Sequence, residues 1–206
     1  MATEHSLTLR ALAALLAYPD EEQRAALPEI GAALQHARGV DGERRAQLLA
    51  LVDELGHGEL LDAEARYVEL FDRGRTTSLN LFEHVHGDGR ERGSAMLELR
   101  ERYAKIGLEQ SNHELPDHLP VLLEYLSCCE PDETPALLGE CALVLRKLGN
   151  TLAKRGSRYA AVPAALLDLA GEEGLDPLAP VPPPEDLDQS WEERPAFEAP
   201  TATAHR

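Results

Sequence analysis

Apolar residues recur every three or four positions along most of this chain, and they lay out one helix after another. Leu9, Leu12, Leu15 and Leu16 form a stripe ahead of Tyr18-Pro19, with Ser6 placed to cap it. Asp20 restarts a helix, and Pro28 suits the first turn of the next, which ends near Gly39. Asp41 caps a segment carrying Leu48, Leu49, Val52 and Leu55, closed by Gly56 and Gly58. Leu60, Ala63, Tyr67 and Leu70 carry a helix from Glu59 to Phe71. Asp88 or Ser94 caps another, with Met96, Leu97, Leu99, Tyr103 and Ile106, ended by Gly107. Pro116 fits the first turn of a helix that turns Leu119, Leu122, Leu123 and Leu126 inward. A long helix follows from about Pro131 to Leu148, stopping at Gly149-Asn150, with shorter pieces at 151–155 and 163–170. Nowhere do four to eight residues alternate at period two.

The pattern predicts an all-α, single-domain bundle of roughly eight to ten helices over residues 1–170. From Gly171 onward the composition shifts. Half of the 14 prolines and nine acidic residues against two arginines fall in 171–206, so an extended or disordered acidic tail is expected there. Leu187, Trp191 and Phe197 are its candidate docking residues.

Charge narrows the partners. A formal net charge of -17, from 37 acidic and 20 basic side chains, repels nucleic acid and anionic lipid and attracts basic partners. Solubility alone is the plainer explanation of the same excess. No run approaches the ~20 apolar residues of a membrane span. The run "LTLRALAALLAY" holds Arg10 and is preceded by Glu4, so it reads as the first helix of a cytoplasmic protein and not as a secretion signal. Cys128, Cys129 and Cys141 form no CxxC pair and read as small buried residues in a reducing compartment.

One stretch interrupts the helical pattern. "LFDRGRTTSLNLFEHVHGDGRERG", Leu70 to Gly93, packs four arginines, four acidic residues, two histidines and four glycines into its length. Glu83 and His86 make an E-x-x-H pair, but the second such pair and the inward glutamates of a di-iron bundle are missing. His84 and His86 stand two apart, on different helical faces, and no paired zinc spacing appears. "GDGRERG" lacks the Lys-Ser/Thr of a phosphate loop and follows no strand. Two readings remain for Arg73, Arg75, Arg90 and Arg92 among Asp72, Glu83, Asp88 and Glu91. They form either an internal salt-bridge network or, with Phe71, Leu79, Leu81 and Phe82, a partly buried polar seam beside a groove for a peptide helix. A small metal- or nucleotide-dependent enzyme using His84, His86 and the arginines is the competing class. "HELPDH" is a second polar cluster, placed where its carboxylates gain from a helix N-terminus.

Together the two clusters carry a family resemblance. "YVELFDRGRTTSLNLFEHVHGDGRERGSAM", Tyr67 to Met96, resembles the signature of the NarJ-type nitrate reductase assembly chaperones, also called the delta subunit. "ELPDHLPVLLEYLS", Glu114 to Ser127, resembles the E-x-P-D-H motif of the wider molybdoenzyme maturation chaperones. The likeness runs from about residue 6 to 170. It implies a cytoplasmic, all-helical, monomeric chaperone and not an enzyme. Its client would be the apo catalytic (alpha) subunit of respiratory nitrate reductase, recognised by its N-terminal segment. The chaperone would hold no cofactor stably, assist insertion of the molybdenum bis-guanine-dinucleotide cofactor and an iron–sulfur cluster, and be absent from the finished enzyme. By this resemblance Tyr67, Leu70 and Phe71 sit at the peptide groove. Asp72, Arg73, Arg75, Glu83, His84 and His86 form its polar wall, with Glu114, Asp117, His118 and Tyr125 opposite.

Overall fold

The computed structural model describes residues 4–86, 90–109, 114–176 and 178. Asp88 and the tail residues Leu187, Trp191 and Phe197 lie outside the described residues. Among the described residues the chain is all-α, with ten α-helices, a π-helical turn, two 3-10 turns and no strand. In chain order the helices are α1 (Glu4–Leu15), α2 (Glu21–Gln35), α3 (Gly42–Gly56), α4 (Leu60–Tyr67), α5 (Glu83–His86), α6 (Arg90–Lys105), α7 (Leu119–Cys128), α8 (Glu133–Glu140), α9 (Ala142–Lys154) and α10 (Ala161–Ala170).

Two apolar helices organise the interior. Every leucine of the expected stripe, Leu9, Leu12 and Leu15 in α1 and Leu16 just after it, is buried, and α1 packs on α7 and α2. In α10 Ala161 through Leu167 and Leu169 are all buried, as a helix apolar on every side requires, and α3, α8 and α9 surround it. The buried side chains form one contiguous cluster from Leu9 to Leu169. Each fully buried leucine in it adds on the order of 1.5–3 kcal/mol.

Asp20 and Asp41 cap α2 and α3 as their positions suggest, accepting from the amides of Gln23 at 2.7 Å and Arg44 at 2.8 Å. Other boundaries differ from the expectations. Ser6 lies inside α1 and Ser94 inside α6. Pro28 does not start a new helix but sits within α2. There the buried residues Leu27, Ile30, Gly31 and Leu34 run on past it, and their burial outweighs the amide the proline lacks. The long helix expected from Pro131 breaks at Cys141, because α8 and α9 each lie on α10. Gly149 is accordingly inside α9 and does not end it. Pro116 stays outside α7, whose proline near the start is Pro120. The cysteines are not a buried set: Cys128 at the end of α7 is exposed, and Cys129 and Cys141 are half-buried. In α6 Leu99 and Tyr103 face the core, whereas Leu97, and Ile106 just past the helix end, are exposed.

Candidate functional site

The unusual stretch begins with a change of helix type. After Tyr67 the chain widens into a π-helical turn, Val68–Asp72, closed by the Arg73 amide donating to the Val68 carbonyl at 3.0 Å. Such turns are rare and concentrate at functional positions. The chain leaves the turn through Gly74 and a 3-10 turn, Arg75–Thr77. The Thr77 hydroxyl donates back to the Leu70 carbonyl. Gly74 is required by space there, because a Cβ would lie 2.6 Å from Oγ1 of Thr77 and 3.0 Å from the Leu70 carbonyl oxygen.

Beyond Thr77 the backbone is extended, and extended backbone needs partners for its amides and carbonyls. The second polar cluster supplies them. Leu119 donates to the Leu79 carbonyl at 2.8 Å and Leu81 to the Asp117 carbonyl at 3.1 Å, making an antiparallel bridge between Asn80 and His118. Asp117 completes the joint: its Oδ2 accepts the Phe82 amide at 2.9 Å. The Tyr103 hydroxyl holds the same loop from below, donating to the Pro116 carbonyl at 2.6 Å. The carboxylate of "HELPDH" nearest the helix therefore serves a distant amide, not the first amides of α7, where His118 is the cap residue and its side chain makes no capping bond.

Burial sorts twelve of the thirteen candidate residues into three groups. Tyr67, Phe71, Asp117 and Tyr125 are buried. Tyr67 donates to the Leu16 carbonyl at 2.8 Å, packs at 4.8 Å against the tilted ring of Phe71 and makes T-shaped contacts with Tyr18 and Tyr159. Phe71 in turn meets Tyr159 edge-on at 5.0 Å. Tyr125 lies 4.7 Å from the Tyr103 ring. These three rings and one carboxylate are buried and brace the seam from inside. Asp72, Arg73, Arg75 and Glu114 are exposed, and Leu70, Glu83, His84 and His118 are half-buried. The side chain of His86 lies outside the described residues.

The polar contacts of the half-buried group explain its electrostatics. Glu83 pairs with Arg92 at 3.4 Å. Partial burial opposes its ionisation, but hydrogen bonds from Ser78, Asn80 and Arg92, with the arginine's charge, carry the carboxyl below its ordinary range. Asp117 is pushed the other way: burial raises it, and the Phe82 amide and the Arg92 charge offset only part of that. His84 turns Nε2 to the Ser78 carbonyl at 2.9 Å, and His118 brings Nδ1 to 3.6 Å from Glu114. Burial lowers both histidines, against the pull of Ser78, Glu83 and Asp117 on His84 and of Glu114, Asp117 and Asp72 on His118. Lys147 adds to the lowering of His84.

A pH dependence of stability follows with a definite sign. Both imidazoles are neutral in the fold and gain a proton more readily when unfolded, so stability is full above pH ~6.5 and falls as pH drops through their folded values. Asp117, raised in the fold, acts oppositely and at lower pH. The urea midpoint is expected to fall between pH 7 and pH 5.5, and to fall less in the double variant His84→Gln/His118→Gln. Equal slopes in the two proteins would remove the histidines from the account.

The comparison with known proteins decides the family. The family model described as "Nitrate reductase delta subunit" matches residues 17–162. This chain belongs to the nitrate reductase delta subunit family. It is 40% identical over 187 residues to the Escherichia coli K12 protein named nitrate reductase molybdenum cofactor assembly chaperone NarJ, covering 87% of this chain and 79% of that one. It is 33% identical over 167 residues to the Bacillus subtilis protein named as a probable chaperone of the same kind, covering 80% of this chain and 89% of that one. A crystal structure titled as a putative redox enzyme maturation protein from Archaeoglobus fulgidus shares the fold, with a TM-score of 0.58 at 21% identity over 81% of this chain and 94% of that one.

In this delta-subunit chain both motif segments lie within the matched range and are held to each other by the bridge at Asn80 and His118. Among the described residues no helix is long and apolar enough to cross a membrane. Three residues outside the expected set hold the seam in place: Tyr18, Tyr103 and Tyr159. Tyr103 stood in the sequence as an ordinary core position, Tyr159 falls between the expected helical pieces, and nothing in the local pattern ties Tyr159 to Tyr67, 92 positions earlier.

Proposed function

We propose that this protein is the assembly chaperone of a nitrate reductase. It binds the apo catalytic subunit through that subunit's N-terminal segment in the cytoplasm, and keeps it open while the molybdenum bis-guanine-dinucleotide cofactor and an iron–sulfur cluster enter. It acts as a monomer and leaves before the enzyme is complete. The observation that carries this reading is the 40% identity to a protein named as a molybdenum cofactor assembly chaperone, over most of both chains. The protein is an assembly factor, not an enzyme, and the cofactor is its client's cargo. Residues 1–170 form the chaperone domain and 171–206 an acidic appendage.

In this reading the buried and exposed halves of the candidate set divide the work. Tyr67, Phe71, Asp117 and Tyr125 hold the seam rigid from within. Leu70, Asp72, Arg73, Arg75, Glu83, His84, Glu114 and His118 present the client-facing surface, and His86 belongs to the same wall. Asp72 and Glu114 both act on His118 and on the Tyr67 hydroxyl, which puts two exposed carboxylates around one place. An amphipathic peptide helix with basic residues suits such a surface, and the acidic body speeds its approach.

The test is calorimetric titration with a peptide copying the N-terminus of the co-encoded catalytic subunit. Saturable binding is expected, weakened about tenfold, or about 1.4 kcal/mol, in Asp72→Lys/Glu114→Lys with the urea midpoint unchanged. Binding by neither the peptide nor the whole apo subunit would refute the proposal.

A further inference from the structure

Past Gly171 the chain follows α9 toward that helix's C-terminal end. Arg146 donates through Nη2 to the Glu173 carbonyl at 2.9 Å and through Nε to the Gly174 carbonyl at 3.4 Å. It also pairs with the Glu172 carboxylate at 3.7 Å. Three residues on, Gly149 leaves room for Leu175: a Cβ there would lie 2.5 Å from Cδ2 of the leucine. One turn further, Ala153 and the same Leu175 line an open cleft of about 350 Å³ between α3 and α9. Its lining combines the methyls of Ala50, Ala153, Ala160 and Ala161 with the arginines Arg44 and Arg158. Three residues after Leu175, Leu178 is exposed. The described chain therefore ends beside an unfilled cleft.

The charge around this cleft favours an acidic occupant. Between Glu140 and Asp168 the sequence holds five basic residues, Arg146, Lys147, Lys154, Arg155 and Arg158, and no acidic one, in a chain of net charge -17. Lys154 and Arg155 follow Ala153 directly and, like Arg158, are exposed. Two carboxylates temper these cations, Asp168 at 3.5 Å from Arg44 and Glu54 at 2.8 Å from Arg158. Beyond Leu178 the chain continues for 28 residues. Residues 185–193, "EDLDQSWEE", hold five carboxylates, no basic residue and Trp191. Twelve residues separate Leu178 from Trp191, a length that spans up to about 40 Å, so reach is not limiting.

We propose that Trp191 of this acidic segment docks in the α3–α9 cleft, its ring against the alanines and Glu192 and Glu193 beside Lys154, Arg155 and Arg158. The other apolar side chains of the tail suit the cleft less well. Phe197 follows Arg194, and Leu187 offers less apolar surface than an indole. Tethering helps, since a short link gives an effective concentration on the order of millimolar, at which weak docking is already populated. This inference does not depend on what the client is.

Trp191 is the single tryptophan, so fluorescence of the full chain reports on this segment alone. Its emission is expected at shorter wavelength than that of a free peptide of residues 179–206, with acrylamide quenching slowed about threefold, as for a mostly docked population. Ala153→Glu puts a carboxylate in the cleft, and Glu192→Lys/Glu193→Lys reverses the charge beside the ring. Each should restore the quenching of the free peptide, with helical circular dichroism unchanged. Quenching of the parent chain equal to that of the peptide would overturn the proposal. So would shielding that survives either variant, which would seat Trp191 elsewhere, and shielding that fades on dilution, which would assign it to a second copy. If Ala153→Glu does not fold, Ala50→Glu on the facing α3 replaces it.

Discussion

Replacing Tyr67 with alanine is expected to lower the unfolding free energy by about 3–5 kcal/mol, the range for losing a large ring from a packed core. The ring touches Tyr18, Phe71 and Tyr159, and its hydroxyl satisfies the Leu16 carbonyl across 51 residues of sequence. Tyr67→Phe keeps the ring contacts and strands only that carbonyl, at a cost of about 1 kcal/mol. Urea titrations of the two variants measure both figures. A loss below about 1 kcal/mol in Tyr67→Ala, together with weakened client binding, would place the ring at the surface after all. The expected result also sets which variants can probe client binding. Tyr67→Ala damages the scaffold, so the exposed pair Asp72 and Glu114 is the proper probe.

Asp117→Ala is expected to cost about 1–3 kcal/mol, because it removes the acceptor of the half-buried Phe82 amide and unfastens the joint between the two motif segments. Asp117→Asn should stay near the parent. Its amide oxygen still accepts from Phe82, and burial already disfavours the charge that the substitution removes. The pH response separates the two states of the side chain. Above its raised folded value the carboxylate is buried as a charge, so its contribution improves as pH falls toward the ordinary carboxylate range; Asp117→Asn removes that part of the slope. If Asp117→Ala proves as stable as Asp117→Asn, the Phe82 bond is not what the carboxylate is for.

The helical class was legible because the apolar period is set by local geometry, and the leucines at 9, 12, 15 and 16 are buried as their spacing requires. The caps at Asp20 and Asp41 were legible for the same reason, since a cap and the amide it serves are three residues apart. Boundaries set by distant packing were not. Pro28 reads as a start and lies mid-helix, and Cys141 reads as mid-helix and is a break, because α1, α3 and α10 decide where those segments bury their apolar sides. The site divides the same way. Its two segments stood out by composition and family likeness, but the division between buried Tyr67, Phe71, Asp117 and Tyr125 and their exposed neighbours did not.

By itself, then, the sequence determined the helices, their inward stripes, the acidic balance and the two motifs that place the chain in its family. The tertiary structure alone decided that Asn80 faces His118, that Asp117 serves Phe82, and that Tyr159 closes the ring cluster begun at Tyr18. The physical reason is range. Periodicity and capping act over three or four residues along one helix. A buried hydrogen bond or ring contact joins residues tens of positions apart, and only the packed chain shows which of them meet.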